Sequence, residues 1–154
     1  MDPSIVIRSV GPSDAPALTA FYAALSAATR HDRFFSFACP SPLAITTWCA
    51  ARPVAAGLVA LTDDRIVGHL LGEPAPGGGI EIAVAVADGY RRRGIGGALV
   101  RVLDAWLTTH HVGRVTATTM IGNAHMIRLF SLLGTVHSRY VGASELDMEI
   151  TRPI

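Results

Sequence analysis

The sequence predicts an α/β fold in which seven strands and four helices follow one another in a single domain, residues 1–154. Short apolar or β-branched runs, bounded by glycine, proline or aspartate, recur along the chain and are typical of strands. Between them lie longer segments whose apolar residues repeat every three or four positions, which is typical of helices. The resulting order is β-α-α-β-β-β-α-β-α-β-β.

Composition and charge limit the class of protein. Of 154 residues, 50% are hydrophobic and 16% are charged, so the chain can bury a substantial core. Thirteen basic and twelve acidic side chains leave a net charge of +1, which gives no electrostatic reason to expect nucleic acid or a membrane surface as partner. The N-terminus lacks signal-peptide features, and Cys39 and Cys49 form no CxxC pair. We therefore expect a soluble, cytoplasmic protein with reduced thiols.

The first half of the chain begins with a strand over 4–10, followed by a helix for which Ser13 is the expected N-cap. A second helix is expected over 42–52, where prolines stand at its start and just beyond its end. Strands over 54–61 and 66–71 are expected to form a hairpin. The apolar face of the first helix consists of Leu18, Phe21, Tyr22 and Leu25.

The strand predicted over 80–87 follows a flexible loop over 74–79 and has two unequal faces. Its bulky face consists of Ile80, Ile82, Val84 and Val86. Its other face carries one acid and three alanines, namely Glu81, Ala83, Ala85 and Ala87. Such small side chains leave room either for a ligand beside the backbone or for a closely packed helix.

Five further elements complete the predicted domain. They are a helix over 95–110, a strand over 114–121, a helix over 123–133, and a closing strand pair over 135–141 and 145–151. Gly134 is expected to end the second of these helices as its C′ residue. The apolar face expected for the first helix consists of Ile95, Leu99, Val102, Leu103 and Trp106. For the second it consists of Met126, Leu129, Phe130 and Leu133.

The turn over 90–97 is the most informative feature of the sequence. It joins an apolar strand to a helix through three glycines, and such a turn directs backbone N–H groups and the positive helix end at a phosphate or pyrophosphate. It is not a P-loop, because no Gly-Lys-Ser/Thr follows, and Leu99 replaces the third glycine of a dinucleotide fingerprint. A phosphate cradle near the lone carboxylate of Glu81 indicates a phosphate-bearing cofactor and a general base.

Two segments resemble the GNAT family of N-acetyltransferases. Arg91-Arg92-Arg93-Gly94-Ile95-Gly96 is similar to the family's acetyl-CoA pyrophosphate loop, and 123–134, which starts Asn-Ala-His-Met, is similar to its later helix. The order of elements also matches. The resemblance implies a mixed, mostly antiparallel sheet of about seven strands flanked by about four helices, with acetyl-CoA as cosubstrate. We expect no metal, because no histidine lies in a metal-ligand motif.

The resemblance also implies roles for individual residues. The backbone of Val84, Ala85 and Val86 would pair with the pantetheine arm as if it were an added strand. Asn123 would cap its helix and contact the cofactor. Glu81 would accept, directly or through water, the proton that an ammonium acceptor must lose before it attacks the thioester. The pyrophosphate would be bound by Arg91, Arg92, Arg93, Gly94, Ile95, Gly96 and Gly97.

A narrower resemblance concerns the acceptor. Residues 81–88 and 25–35 are similar to bacterial GNAT protein-lysine acetyltransferases, including those that acetylate acyl-CoA synthetases. This similarity favours a protein lysine as acceptor, while a small-molecule amine and a non-catalytic acetyl-CoA-binding module remain alternatives. The high apolar content also allows a homodimer face.

One residue departs from the family pattern. Phe130 occupies the position where many family members have a tyrosine proposed to protonate the leaving thiolate. A thiol has a pKa near 8.5, so its thiolate can leave without an acid. Ser131, His125 or Tyr140 are the alternative acids.

Overall fold

The computed structural model describes residues 4–26, 41–50, 57–120, 124–142 and 145–153. Its seven strands are β1 (Val6–Ser9), β2 (Gly57–Thr62), β3 (Arg65–Pro74), β4 (Ile80–Val86), β5 (Arg114–Met120), β6 (Thr135–Val141) and β7 (Glu145–Thr151). Its four helices are α1 (Ala15–Ala24), α2 (Pro42–Ala50), α3 (Ile95–Thr109) and α4 (Ala124–Phe130). Within these ranges, the order of the elements agrees with the predicted one.

The seven strands form one sheet in the order β1-β2-β3-β4-β5-β7-β6. Every neighbouring pair is antiparallel except β4 and β5, which run parallel. The mixed, mostly antiparallel sheet is therefore confirmed. The single parallel pair lies at the centre of the sheet, and α3 makes the crossover between its two strands, as a parallel connection requires.

The hairpin of β2 and β3 closes through two residues, Asp63 and Asp64. Both have positive φ, 49° and 61°, and Thr62 pairs with Arg65 on either side of them. This is the backbone that a two-residue hairpin turn requires, and aspartate tolerates it better than most side chains. The hairpin predicted around 62–65 is confirmed.

Helices cover both faces of the sheet. On the α1 face, α1 and α2 bury a cluster that includes Leu18, Tyr22 and Ile45. On the α3 face, α3 and α4 bury the larger cluster, in which Leu103 and Phe130 are almost fully enclosed. Burial of this kind contributes about 25 cal/mol for each Å² of apolar surface removed from water.

Close packing fixes the position of α3 behind the sheet. A Cβ on Gly68 of β3 would lie 2.9 Å from Ile95 and 3.2 Å from Leu99, so only glycine allows this approach without a shift. The start of α3 is thereby held against the middle of the sheet, next to β4.

The two faces of β4 pack as unequally as predicted. Ile80, Ile82 and Val84 belong to the cluster under α3, whereas Ala85 is 5% exposed and belongs to the cluster under α1 and α2. At Ala85 the small face therefore serves close packing of helices. Glu81, on the same face, is exposed.

Three details of the helices differ from the prediction. The N-cap of α1 is Asp14, not Ser13, because a 3-10 turn over Pro12–Asp14 precedes the helix. Val102 is 41% exposed, since the buried stripe of α3 follows every fourth residue, through 95, 99, 103 and 107. The end of α4 lies at Phe130 and a tighter turn follows, so Gly134 is not its C′ residue. Gly134 instead allows close contact, since a Cβ there would lie 2.4 Å from the Thr151 carbonyl oxygen.

The Asp14 carboxylate holds the end of β1 to the start of α1. Its two oxygens accept hydrogen bonds from the Arg8 guanidinium at 2.8 Å each, and one also accepts the Gly11 N–H at 2.8 Å. The bond from Arg8 and that from Gly11 lower the pKa of Asp14, against the opposing effect of burial. Asp14 is thus a structural ionised group.

We expect Asp14→Asn to lower the free energy of unfolding by about 1–2 kcal/mol at neutral pH, the range for hydrogen bonds to charged groups with one partner half exposed. A carboxylate whose pKa is lower in the folded state stabilises the folded protein at pH values above its unfolded pKa of about 3.9. This stabilisation is lost as the pH falls through the pKa of the folded state. Thermal unfolding from pH 7 to pH 2 should show the two curves converging below about pH 4. A constant difference across that range would contradict this role.

The sequence also predicted reduced thiols and no membrane-spanning segment. Cys49 is buried and free, and burial raises the pKa of its thiol, so the thiol stays protonated at neutral pH. Cys39 and the segment 30–35 lie outside the described residues. Of the helices in the described ranges, none is both long and apolar enough to cross a membrane.

Candidate active site

The parallel strands β4 and β5 pair only at their beginnings. Ile80 pairs with Val115 and Glu81 with Thr116, and no further pair follows although both strands continue for several residues. The two strands therefore diverge into a wedge after Glu81. Along β4, the edge from Ile82 to Val86 has β3 on one side and this wedge on the other.

The direction of the backbone groups along β4 can be assigned. The Ala87 N–H donates to the Val67 carbonyl of β3 at 2.8 Å, and successive residues of a strand direct their backbone groups to opposite edges. The groups of Ala85 therefore also face β3, with which it is in register opposite His69. Those of Val84 and Val86 face the wedge. Of the three residues predicted to bind the cofactor through their backbone, two have groups available for it.

The glycine turn forms the start of α3, beside the open end of the wedge. Gly94 is its N-cap, with a left-handed φ of 77° and no side chain to cap the helix. The Ala98 N–H makes the first helical bond, to the Gly94 carbonyl at 3.0 Å. The preceding N–H groups, those of Ile95, Gly96 and Gly97, have no helical acceptor and carry the positive end of the helix dipole. These N–H groups are available to an anion, and they belong to the turn in which the sequence predicted a phosphate cradle.

The three arginines of the turn are all exposed. Arg92 has a φ of 63°, which is unusual for a side chain of its size, and Arg93 stacks its guanidinium 5.0 Å from the centre of the Tyr90 ring. Asp88 fixes the preceding 3-10 turn to the end of α1, where its carboxylate accepts the Ser26 N–H at 2.9 Å. The arginines thus surround the cradle with positive charge and keep their heads in solvent.

Beside the wedge lies a cavity of about 410 Å³ on the α1 face of the sheet. Glu81 lines it at the point where β4 and β5 part. The Glu81 side chain is exposed, so a molecule in this cavity can reach it. A carboxylate in this position can accept a proton from a molecule in the cavity while a second molecule is bound in the wedge.

The rest of the cavity wall was not identified from the sequence. Thr118 donates to Asp147 at 3.0 Å, and Arg139 lies 4.0 Å from the same carboxylate. Polar residues alternate with buried apolar ones along β5 and β7, so the polar side chains of each strand lie on one face. The pairing order of the strands brings these polar side chains to the same cavity as Glu81. The remaining members of the wall are Pro76, Arg114, Thr116, Ala117, His137, Ser138, Met148 and Glu149.

The structure also shows where the position of the missing tyrosine and the alternative proton donors for the leaving thiolate lie. Phe130 is 1% exposed and belongs to the core. Ser131 donates its hydroxyl to the Arg128 carbonyl at 2.6 Å. Tyr140 is 72% exposed on the edge strand β6, where its neighbours in sequence, not Tyr140 itself, face the cavity side. His125 is exposed at the start of α4, and Asn123 lies outside the described residues.

No metal centre is formed by the parts of the chain that the structure describes. Within those ranges, no three histidine, cysteine, aspartate or glutamate side chains are grouped to hold an ion. In the described residues, the site combines the Glu81 carboxylate, the N–H groups at the start of α3 and the edge of β4 that faces the wedge.

Comparison with known proteins relates this arrangement to a family. The sequence model of the acetyltransferase (GNAT) family matches residues 21–135. The GNAT domain of PAT from S. lividans has the same fold, with a TM-score of 0.81 and 21% identity over 95% of this chain and 89% of that one. No curated protein sequence matches the chain.

Two further solved structures share the fold. The protein yncA from Salmonella typhimurium, solved with its cofactor acetyl-CoA, has a TM-score of 0.75 and 21% identity over 96% of this chain and 94% of that one. Diaminobutyrate acetyltransferase EctA from Paenibacillus lautus, solved with L-2,4-diaminobutyric acid and coenzyme A, has a TM-score of 0.70 and 18% identity over 96% and 95%.

Proposed function

Because the chain belongs to the acetyltransferase (GNAT) family, and is thus an acetyl-CoA-dependent N-acetyltransferase, we propose which residues perform its reaction. The wedge between β4 and β5 binds the acetyl-pantetheine arm, the start of α3 binds the pyrophosphate, and Glu81 is the general base. The acceptor is a primary amine that enters the cavity on the α1 face.

One observation carries this proposal above the others. The two central strands part directly after Glu81, so the carboxylate stands between a free strand edge and the cavity. An extended ligand on that edge would place its reactive end near Glu81, while its other end would reach the glycine turn at the end of β4.

The cofactor would bind through backbone groups at both ends. Val84 and Val86 offer the wedge their N–H and carbonyl groups, as an edge strand does to an added strand. The N–H groups of Ile95, Gly96 and Gly97 would bind the pyrophosphate, with the exposed arginines as counter-charges. These contacts recognise features common to all acyl-CoA molecules and leave the choice of acceptor to the cavity.

The reaction at Glu81 follows from the protonation state of the acceptor. A primary amine is an ammonium ion at neutral pH and has no lone pair for attack. Glu81 would take its proton, directly or through a water. The amine nitrogen would then bond to the thioester carbonyl carbon and release a second proton to solvent. The carbon–sulfur bond would break, and CoA would leave as a thiolate that a proton from solvent neutralises.

The charge of the cavity is consistent with an amine acceptor. Its wall contains three carboxylates, of Glu81, Asp147 and Glu149, and two guanidinium groups, of Arg114 and Arg139. An excess of negative charge attracts cations. A protein lysine is the acceptor that we favour, because the segments 25–35 and 81–88 resemble protein-lysine acetyltransferases.

A small-molecule amine is the second candidate. The cavity of about 410 Å³ lies within the range of small-ligand pockets. In addition, EctA, which shares the fold, was solved with the free diamino acid that is its substrate.

Incubation with radiolabelled acetyl-CoA and a bacterial lysate separates these candidates. Label that depends on Glu81 and appears in the protein fraction supports the protein lysine. Label in the metabolite fraction would replace it with the small amine. If neither fraction is labelled although acetyl-CoA binds, both proposed acceptors are refuted and the result favours the alternative of a cofactor-binding module.

A further inference from the structure

Arg114, the first residue of β5, joins three parts of the cavity wall. Its Nε donates to a Glu149 carboxylate oxygen of β7 at 3.1 Å. Its Nη1 donates to the Pro76 carbonyl at 3.1 Å and also to the Gly78 carbonyl. Pro76, Arg114 and Glu149 all line the cavity that contains Glu81. One guanidinium therefore connects the loop between β3 and β4 to the sheet beside the proposed base.

The loop held by Arg114 has little intrinsic order. Gly77, Gly78 and Gly79 have φ values of 83°, 103° and 80°, and glycine loses more conformational freedom on ordering than any other residue. Two backbone bonds inside the loop, from Ala75 to Gly79 and from Gly78 to Ala75, hold its turn together. The guanidinium adds the two side-chain bonds that hold it in place over the sheet.

Glu149 holds the guanidinium in position. It is a diagonal neighbour of Arg114 in the sheet, since it pairs with Thr116, two residues further along β5. A carboxylate on Nε directs the far end of the planar group toward the loop. Lysine could pair with Glu149 or reach the loop, but its single ammonium cannot hold this fixed fork.

We propose that Arg114 is a positioning residue for the acceptor: with Glu149 it fixes the 75–79 loop as the wall of the acceptor cavity beside Glu81. This inference rests on the proposed function for the identity of the cavity. In the described residues, the side-chain hydrogen bonds of Arg114 and Glu149 do not involve the wedge edge of β4 or the start of α3. Loss of Arg114 should therefore affect the acceptor and spare acetyl-CoA.

The test compares Arg114→Met, which keeps the aliphatic stem, with Arg114→Lys and with Arg65→Met as a control at the remote β2–β3 turn. Backbone amide exchange of Ala75 and Gly78 is measured first. Initial rates are then measured with acetyl-CoA and a peptide that contains one lysine. Circular dichroism confirms that each variant is folded.

For Arg114→Met we expect faster exchange at both amides. We also expect kcat/KM for the peptide to fall roughly 10- to 100-fold, since small misplacement of a reacting group has effects of this size, with KM for acetyl-CoA unchanged. Arg114→Lys should restore only part of the loss, and Arg65→Met should match the parent. Unchanged exchange in a folded Arg114→Met protein, or an equal loss of kcat/KM for both substrates, would overturn the inference. If the parent does not acetylate the peptide, the lysine acceptor fails, while amide exchange still decides whether Arg114 holds the loop.

Discussion

Glu81→Gln should lower kcat for acetyl transfer by roughly 10²–10⁴, the usual contribution of a general base. The amide has nearly the shape of the carboxylate but cannot accept the acceptor's proton. Because Glu81 lies at the narrow end of the wedge, outside the strand edge that would bind the cofactor, the Kd of acetyl-CoA should stay unchanged. Steady-state rates and calorimetric binding of acetyl-CoA to the same preparations measure the two effects.

Glu73→Gln is a matched control for this experiment. Glu73 is the cross-strand partner of Glu81 on β3 and is equally exposed, but it does not line the cavity. The two variants remove the same charge from neighbouring positions. Equal losses in both would show that local charge matters and proton acceptance by Glu81 does not, and an unchanged rate in Glu81→Gln would refute the assignment outright.

Gly94→Asp should weaken acetyl-CoA binding roughly 100-fold, because a carboxylate at the cradle would repel the pyrophosphate. Two like charges about 4 Å apart repel by about 4 kcal/mol at an effective dielectric constant of 20. Even half of this repulsion would weaken binding more than tenfold. A Cβ at this position meets no atom within 4 Å. Aspartate also tolerates the left-handed backbone and favours a helix N-terminus, so the protein should remain folded.

Gly94→Asn separates charge from shape at this position. Asparagine has nearly the same size and the same tolerance of positive φ, but it is neutral. Calorimetric titration with acetyl-CoA should therefore find much tighter binding to Gly94→Asn than to Gly94→Asp, and a difference that shrinks with added salt. Equal affinities would mean that the pyrophosphate binds elsewhere.

Local signals in the sequence predicted most of the fold. Within the described residues, the period of the apolar residues identified the helices and strands in their order, and Asp63-Asp64 marked a two-residue turn. The glycine turn before α3 was recognised because its geometry depends on neighbouring residues only. The errors also have local causes: Pro12 favoured a 3-10 turn before α1, which moved the cap from Ser13 to Asp14.

The site depends on long-range pairing that no single segment specifies. The wedge exists because β4 and β5 pair over two residues only, and β5 follows β4 by more than twenty residues and a whole helix. Asp147 and Glu149 face Glu81 because β7, the last strand, inserts between β5 and β6. The burial of Arg152 also depends on long-range pairing. This residue is 8% exposed, and Asp104 of α3, 2.7 Å away, stabilises its charge.

Amide exchange along β4, followed by nuclear magnetic resonance with and without saturating acetyl-CoA, tests the central claim most directly. The Ala85 amide already faces β3, so its exchange should change little. The Val84 and Val86 amides face the wedge and should become strongly protected when the cofactor binds. Saturating acetyl-CoA that leaves both valine amides unprotected would contradict the proposal that the divergence of β4 and β5 forms the cofactor site.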